Sequence, residues 1–220
     1  MKHSYLVIIP VYNSETTILP LLKRLSVARV NNFLFVNDGS TDNTGRLLTE
    51  QSLNQLAHRE NRGKGAALMT GINYAIDNGC DYVVTMDADL QHPPEFIGHL
   101  VNETRQKAVV LGWRKDYSRM PLLRILSNRI TSLLLSLRTG VKINDSQCGM
   151  RAFPAKIISE LTFTQHGFQF ESEFLIKSIM AGYEILHVPI ATIYANEKSA
   201  MRNIRDTVKF IAMYFRSFLW

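Results

Sequence analysis

Cysteine is scarce in this chain: Cys80 and Cys148 are its only two, and they lack the close spacing of a zinc site or a redox pair. Both read as small core residues of a protein kept in a reducing compartment. Long apolar runs are missing too. No window approaches the roughly 18 uninterrupted apolar residues of a membrane span, which leaves peripheral contact as the way this chain meets a bilayer. The stretch from Met1 to Pro10 holds a strand-length apolar run and no cleavage pattern, so no signal peptide is expected. Repeats, low-complexity tracts and linkers are also lacking. Acidic residues are in the minority, 19 Asp and Glu against 25 Lys and Arg, for a formal net charge of +6. That balance suits an anionic substrate, an anionic membrane surface or nucleic acid, and alone it does not choose. What is present is ample apolar matter, 46% of 220 residues, enough for the core of one domain.

Short apolar runs at Tyr5 to Ile9, Phe33 to Val36, Tyr82 to Met86 and Val109 to Leu111 read as strands. Between them helical patterns cover Thr16 to Leu25, Thr44 to Leu53, Gly65 to Ile76 and Pro94 to Arg105, with Pro94 suited to a first helical turn. The alternation predicts an α/β fold built on a mostly parallel sheet flanked by helices. Ligands of such sheets gather at the carboxyl ends of the strands, and the polar motifs of this chain follow its strands.

The sharpest motif is Asp87-Ala88-Asp89, two carboxylates delivered together at the end of a strand. Without a cation they repel, and one tends to stay protonated. A divalent metal resolves the conflict. Oxygen ligands favour Mg²⁺ or Mn²⁺, which complete their shell with water and with phosphate oxygens of a substrate. A nucleotide diphosphate is the expected substrate; an Asx turn is the plain alternative. Two other strands lead into Pro10-Val11-Tyr12-Asn13-Ser14-Glu15 and Asn37-Asp38-Gly39-Ser40-Thr41-Asp42. Asp38 is suited to accept a hydrogen bond from a base N–H, and the turn from Pro10 through Tyr12 to Asn13 to wall the base. A capped turn is the alternative for the second string. Asn61-Arg62-Gly63-Lys64-Gly65 opens a helix whose free amides, dipole and Lys64 suit a phosphate, although its spacing is neither a Walker loop nor a dinucleotide fingerprint.

Taken together, these strings resemble the family 2 glycosyltransferases with a GT-A fold, and within them the dolichol-phosphate mannose synthase-like branch. The likeness runs from Pro10-Val11-Tyr12-Asn13 through Asn37-Asp38-Gly39-Ser40, Gly63-Lys64-Gly65-Ala66 and the long string Met86 to Glu95, to Asp145-Ser146-Gln147-Cys148-Gly149-Met150-Arg151. The resemblance implies that Asp38 reads the base of a sugar nucleotide and that Asp87, Asp89 and Gln91 surround the metal on its diphosphate, with Ala88 alongside. It implies a single domain over residues 1–220, with a nucleotide-sugar half at 1–105 and an acceptor half at 106–220. Two departures stand out: Ser14 pushes the acidic residue to Glu15, and Asn37 replaces a second Asp. The segment Tyr194 to Ser199 also departs from the Arg- and Gly-rich pattern of the mannose synthases, so mannose is not named as the sugar. Lys198 or Arg202 is expected to reach the diphosphate from a loop there.

Breaking the bond from sugar to diphosphate develops positive charge at the anomeric carbon and negative charge on the leaving group. A metal stabilises that leaving group as a Lewis acid. A hydroxyl acceptor also needs a general base, whereas a lipid phosphate is already anionic. Arg114, Arg119, Arg124 and Arg129 form a cluster suited to such a phosphate, with Arg114 and Arg124 preferred and a solvated basic surface as the alternative. Asp145 and Arg151 resemble a motif near the acceptor. Asp145, Glu171 or Glu173 would serve as base for a saccharide hydroxyl, or would organise the arginines for a phosphate.

Two amphipathic stretches bear on the acceptor. Leu122, Leu126, Ile130, Leu133 and Leu137 share one helical face opposite Arg124, Thr131 and Arg138; Ile204, Val208, Ile211, Phe215 and Phe218 share another, with Arg202, Arg205, Lys209 and Arg216 on the far side. Each suits a membrane interface with anionic headgroups, or packing on the sheet or on a partner subunit. Trp220 tilts the last stretch toward a membrane or subunit contact. The expected enzyme transfers a sugar, with inversion, from a UDP- or GDP-sugar to a polyprenyl phosphate at the cytoplasmic face of a membrane, as a peripheral protein. A saccharide acceptor and a catalytically silent donor-binding subunit of a membrane complex are the alternatives, and homo-oligomers are compatible with either. Nucleic acid is not expected as a partner, because the acidic strand ends repel its backbone and no aromatic platform or basic recognition helix is present.

Overall fold

A computed structural model describes residues 4–118, 120–193 and 203–220. The elements run in the order β1 (Tyr5–Val11), α1 (Glu15–Val27), β2 (Phe33–Asn37), α2 (Thr44–Glu50), β3 (Gln55–Ala57), α3 (Lys64–Asp77), β4 (Tyr82–Thr85), α4 (Ile97–Asn102), β5 (Ala108–Arg114), α5 (Leu122–Thr139), β6 (Arg151–Pro154), α6 (Ile157–Glu160), α7 (Gln169–Met180), β7 (Glu184–Ile190) and α8 (Asn203–Arg216). The strands form one seven-stranded sheet in the order β3-β2-β1-β4-β6-β5-β7. Neighbours are parallel except at β6, which is antiparallel to both β4 and β5. One sheet therefore runs through both halves of the sequence.

Both faces of the sheet are covered, which explains why its central strands read as unbroken apolar runs. Along β1, Leu6 and Ile8 pack with Ala67, Leu68 and Ile72 of α3 and with Phe170 and Phe174 of α7. Val7 and Ile9 face the other way, toward Ile18, Leu21 and Leu25 of α1 and Ile97 and Leu100 of α4. That alternation follows from the two-residue period of a strand. Each fully buried Leu or Ile contributes about 1.5–3 kcal/mol relative to exposure.

The register fixes where the chemistry collects. Val11 pairs with Asn37 and Ile8 with Thr85, so β1, β2 and β4 end along one edge. Because β6 runs the opposite way, its first residue, Arg151, lies opposite Thr85 and Leu111. The Cys148–Gly149 turn that precedes it is thereby delivered to the same edge.

Several elements differ from expectation. The second predicted helix stops at Glu50 rather than Leu53, because the chain reverses through Ser52 at φ 51°. The helix expected from Pro94 begins as a 3₁₀ turn over Pro94–Phe96 and ends at Asn102. Strands β3, β6 and β7 and helix α7 went unpredicted. The stripe Leu122, Leu126, Ile130, Leu133 and Leu137 does not pack on the sheet: every member is exposed, from 49% to 83%. Helix α5 instead turns Asn128, Ser132 and Leu135 inward. On α8, Val208, Ile211 and Phe215 are exposed, as is Phe218 just beyond it, while Met213 is buried. The ends of these two helices meet, since Arg138 Nε donates to Ser217 Oγ at 3.1 Å and the guanidinium lies 4.9 Å from the Phe218 ring centre.

Candidate active site

The loops after β1 and β2 are laced to each other. Asn13, in the left-handed region at φ 51°, accepts the Thr41 amide at 2.8 Å, and its own amide donates to Ser40 Oγ at 3.0 Å. The Ser40 amide in turn donates to Asn37 Oδ1 at 3.0 Å, so the neutral Asn37 caps the turn. Glu15 accepts both the amide and the side-chain amide of Asn43, at 3.0 and 2.9 Å. It thereby ties the loop after β1 to the start of α2. Asp42 accepts the Glu15 and Thr44 amides; burial works against its charge, but those bonds and the Thr44 hydroxyl hold its carboxyl below the usual range. Tyr12 remains half exposed beside Pro10, an open apolar wall.

Asp38 is buried and occupied. Its carboxylate accepts the Arg62 amide at 2.9 Å and the Gly63 amide at 2.8 Å, and lies 2.7 Å from His58 Nδ1. The far nitrogen of His58 sits 3.0 Å from Thr70 Oγ1 on α3. Asp38 thus ties the end of β2 to the loop that starts α3. Gly39 is required here, at φ 68°, because a Cβ would lie 2.3 Å from the Glu60 carbonyl carbon. Sequence reasoning missed His58, which follows the short strand β3 that the sequence did not reveal either.

At the end of β4, Asp87 meets Lys64. The Lys64 ammonium lies 2.6 Å from Asp87 Oδ1 and 3.1 Å from Glu171 Oε2. Burial pushes the Asp87 carboxyl up, yet Lys64 above all, with His92 and Arg151, holds it down at about 2. Lys64 responds in kind: burial pulls it down, but the two carboxylates hold it well above the ordinary lysine range. Gly149 makes room for the pair, since a Cβ there would sit 2.5 Å from Asp87 Oδ2. Ala88 is buried, while Asp89 is half exposed and accepts the Gln91 amide at 3.1 Å. The turn between them places Leu90 at φ 62°, an unusual conformation for a branched residue, and Arg24 of α1 holds its carbonyl at 2.7 Å.

Asp87 and Asp89 would offer carboxylate oxygens of the kind Mg²⁺ or Mn²⁺ takes when phosphate and water complete the shell. Among the described residues no group of three or more His, Cys, Asp or Glu is placed to hold a metal. A divalent ion here would therefore depend on its substrate for ligands. Gln91, expected beside the metal, accepts Arg124 Nη1 through its Oε1 at 3.1 Å. It links the metal loop to α5.

The acceptor-side residues are also drawn together. Arg114 binds Asp145 through two parallel hydrogen bonds of 2.7 and 2.9 Å, and Asn128 adds a third to the same carboxylate at 2.9 Å. All three side chains are buried. The guanidinium and the carboxylate thus satisfy each other in a bidentate pair. Arg151 donates to the carbonyls of Cys148, Glu171 and Ser146, bracing the turn beside Asp87. Glu173 accepts the Thr164 and Gln165 amides and Lys177. Glu171 keeps one oxygen on Lys64, while its buried Oε1 has no hydrogen bond and lies 3.5 Å from Arg151 Nη2. Of the expected arginines, Arg124 reaches the metal loop and Arg129 lies 5.8 Å from the Tyr117 ring centre. Arg119, Lys198 and Arg202 lie outside the described residues. Cys148 is buried, which pushes its thiol up to about 12 and leaves it inert.

Comparison with known proteins gives consistent results. The model of the glycosyl transferase family 2 matches residues 6–162. A UDP-N-acetylglucosamine–dolichyl-phosphate N-acetylglucosaminyltransferase of Methanococcus voltae is 32% identical, over 94% of this chain and 92% of that protein. An undecaprenyl-phosphate 4-deoxy-4-formamido-L-arabinose transferase of Pectobacterium carotovorum is 32% identical over 70% of this chain, which spans 50% of its length. In structure, glucosyl-3-phosphoglycerate synthase from Mycobacterium tuberculosis, crystallised with Mn²⁺, UDP and phosphoglyceric acid, superposes with a TM-score of 0.77 at 19% identity, over 99% of this chain and 78% of that one. The shared architecture is the GT-A fold.

Proposed function

This chain belongs to glycosyl transferase family 2, and from that premise we propose that it transfers a sugar from a nucleotide diphosphate to a polyprenyl phosphate at a membrane surface. It is an enzyme, which sets aside the silent-subunit alternative. The observation that carries the acceptor is the inverted helix α5. Its inward face is polar, through Asn128 and Ser132, its outward face is a stripe of leucines and isoleucine, and its first turn places Arg124 on Gln91 of the metal loop. An exposed apolar stripe of this kind suits lipid. A helix made to face lipid thus starts at the donor's diphosphate.

The residues divide the work. Pro10, Tyr12 and Asn13 wall the base, with Asp38 holding the loop beneath it. Asp87 and Asp89 would hold Mg²⁺ or Mn²⁺, which when bound neutralises charge developing on the departing diphosphate. Lys64, at the opening of α3, adds a cation and a helix terminus to the same oxygens. Arg124 offers the acceptor phosphate its approach beside Gln91. Such an acceptor attacks without a base, in keeping with an Asp145 and a Glu173 already consumed by buried hydrogen bonds. The named transferases that resemble this chain act on dolichyl and undecaprenyl phosphates, which supports the same acceptor class.

Calorimetry with UDP-N-acetylglucosamine, UDP-glucose and GDP-mannose, with Mn²⁺ and then with chelator, tests the donor side. One donor is expected to bind only with metal, and Asp89→Ala to lose that binding while its melting temperature is kept. Full donor binding by Asp89→Ala would remove the foundation of this reading.

A further inference from the structure

Lys64 holds together two carboxylates that belong to different parts of the molecule. Asp87 follows β4 in the nucleotide half, and Glu171 stands in the first turn of α7 in the acceptor half. The ammonium is 2.6 Å from one and 3.1 Å from the other, with its side chain 15% exposed and the Phe168 ring centre 5.8 Å away. Its other oxygen, Oδ2, occupies space that only a glycine at 149 leaves open, since a Cβ there would sit 2.5 Å from it. The oxygen that a divalent ion would take is therefore already neutralised by a cation of the protein itself.

We infer that Lys64 is an internal counter-ion that makes capture of the metal depend on the donor. This rests on the reading of Asp87 and Asp89 as metal ligands. A divalent ion arriving alone must displace the ammonium from Asp87 and then share a confined site with it, and like charges there repel strongly. A metal arriving with a nucleotide diphosphate brings negative oxygens to which the ammonium can shift. When Lys64 shifts, Arg151, 3.5 Å from Glu171 Oε1, keeps a positive charge beside that carboxylate. Metal and nucleotide consequently strengthen each other's binding by the same factor. The site stays charge-balanced and closed to stray metal until the donor arrives.

Mn²⁺ binding to the purified protein, followed by electron paramagnetic resonance with and without UDP, tests this without turnover. The wild type is expected to bind Mn²⁺ weakly alone and about tenfold or more tightly with UDP. Lys64→Met keeps the apolar stem and removes the charge; Mn²⁺ alone should then bind about tenfold tighter, with the UDP effect shrinking to match. Lys64→Arg should behave as the wild type. If Lys64→Met destabilises the fold, Lys64→Gln, which retains a donor to Asp87, should show the same change. Unchanged or weaker Mn²⁺ binding in a folded, uncharged variant overturns the counter-ion role and leaves the metal site standing. A wild type that binds no Mn²⁺ even with UDP overturns both.

Discussion

Asp87 shows how much a single residue owes to neighbours that its sequence position does not reveal. Its carboxyl is held at about 2, against an ordinary 3.8, so the folded state binds its proton less readily than the unfolded chain. The stabilisation is complete above the unfolded value and is lost as pH falls through the folded one, a window from about 4 down to about 2. Urea unfolding across that window should show the wild type losing this contribution, while Lys64→Met, which lacks it, falls less steeply. Equal slopes in the two proteins would mean that the ion pair does not act on stability. The pair Asp87 and Asp89 was legible because two carboxylates beside a strand end announce themselves. His58, Asn128 and Gly149 were not, since each acquires its meaning only when the fold brings it against Asp38, Asp145 or Asp87. Arg114 and Asp145 were found as residues, but spacing in sequence does not show that they pair with each other.

Among the elements, α5 carries the account. Its apolar period was readable, but periodicity says which residues share a face and not whether that face meets protein or solvent. The buried Asn128 and Ser132, bonded to Asp145 and Ser146, settle the direction. Replacing Leu126 and Leu133 together by Glu is expected to abolish flotation with anionic vesicles. Donor affinity should be unchanged and stability within about 0.5 kcal/mol, because both side chains are exposed. Vesicle binding that survives the double substitution would move the lipid contact elsewhere. Other elements escaped the sequence for physical reasons. Helix α7 buries nine of its twelve residues, so it shows no polar face to set a period. Strands β3 and β6 are only three and four residues long, and β6 places Arg151 in the sheet. Strand β7 contains Pro189, which is tolerated because β7 lies at the sheet edge.

Across the whole molecule, one sheet joins the first half of the sequence to the second, with antiparallel β6 as the joint that brings Gly149 and Arg151 beside Asp87. The alternation of strands and helices made the first half legible. The second half departs from that alternation, and its order comes from packing that no local pattern encodes. The net charge of +6 has a place in this picture: α5 has no acidic residue and α8 has one, beside the exposed apolar faces. No helix of the described residues is long and apolar enough to cross a membrane. The central claim is tested most directly by incubating the purified protein with Mn²⁺, detergent-dispersed dolichyl or undecaprenyl phosphate, and radiolabelled UDP-N-acetylglucosamine, UDP-glucose or GDP-mannose in turn. The account predicts that label from one donor passes into a solvent-extractable, acid-labile lipid-linked monosaccharide and that chelator stops it; label that reaches only a saccharide hydroxyl acceptor, with none in lipid, would contradict it.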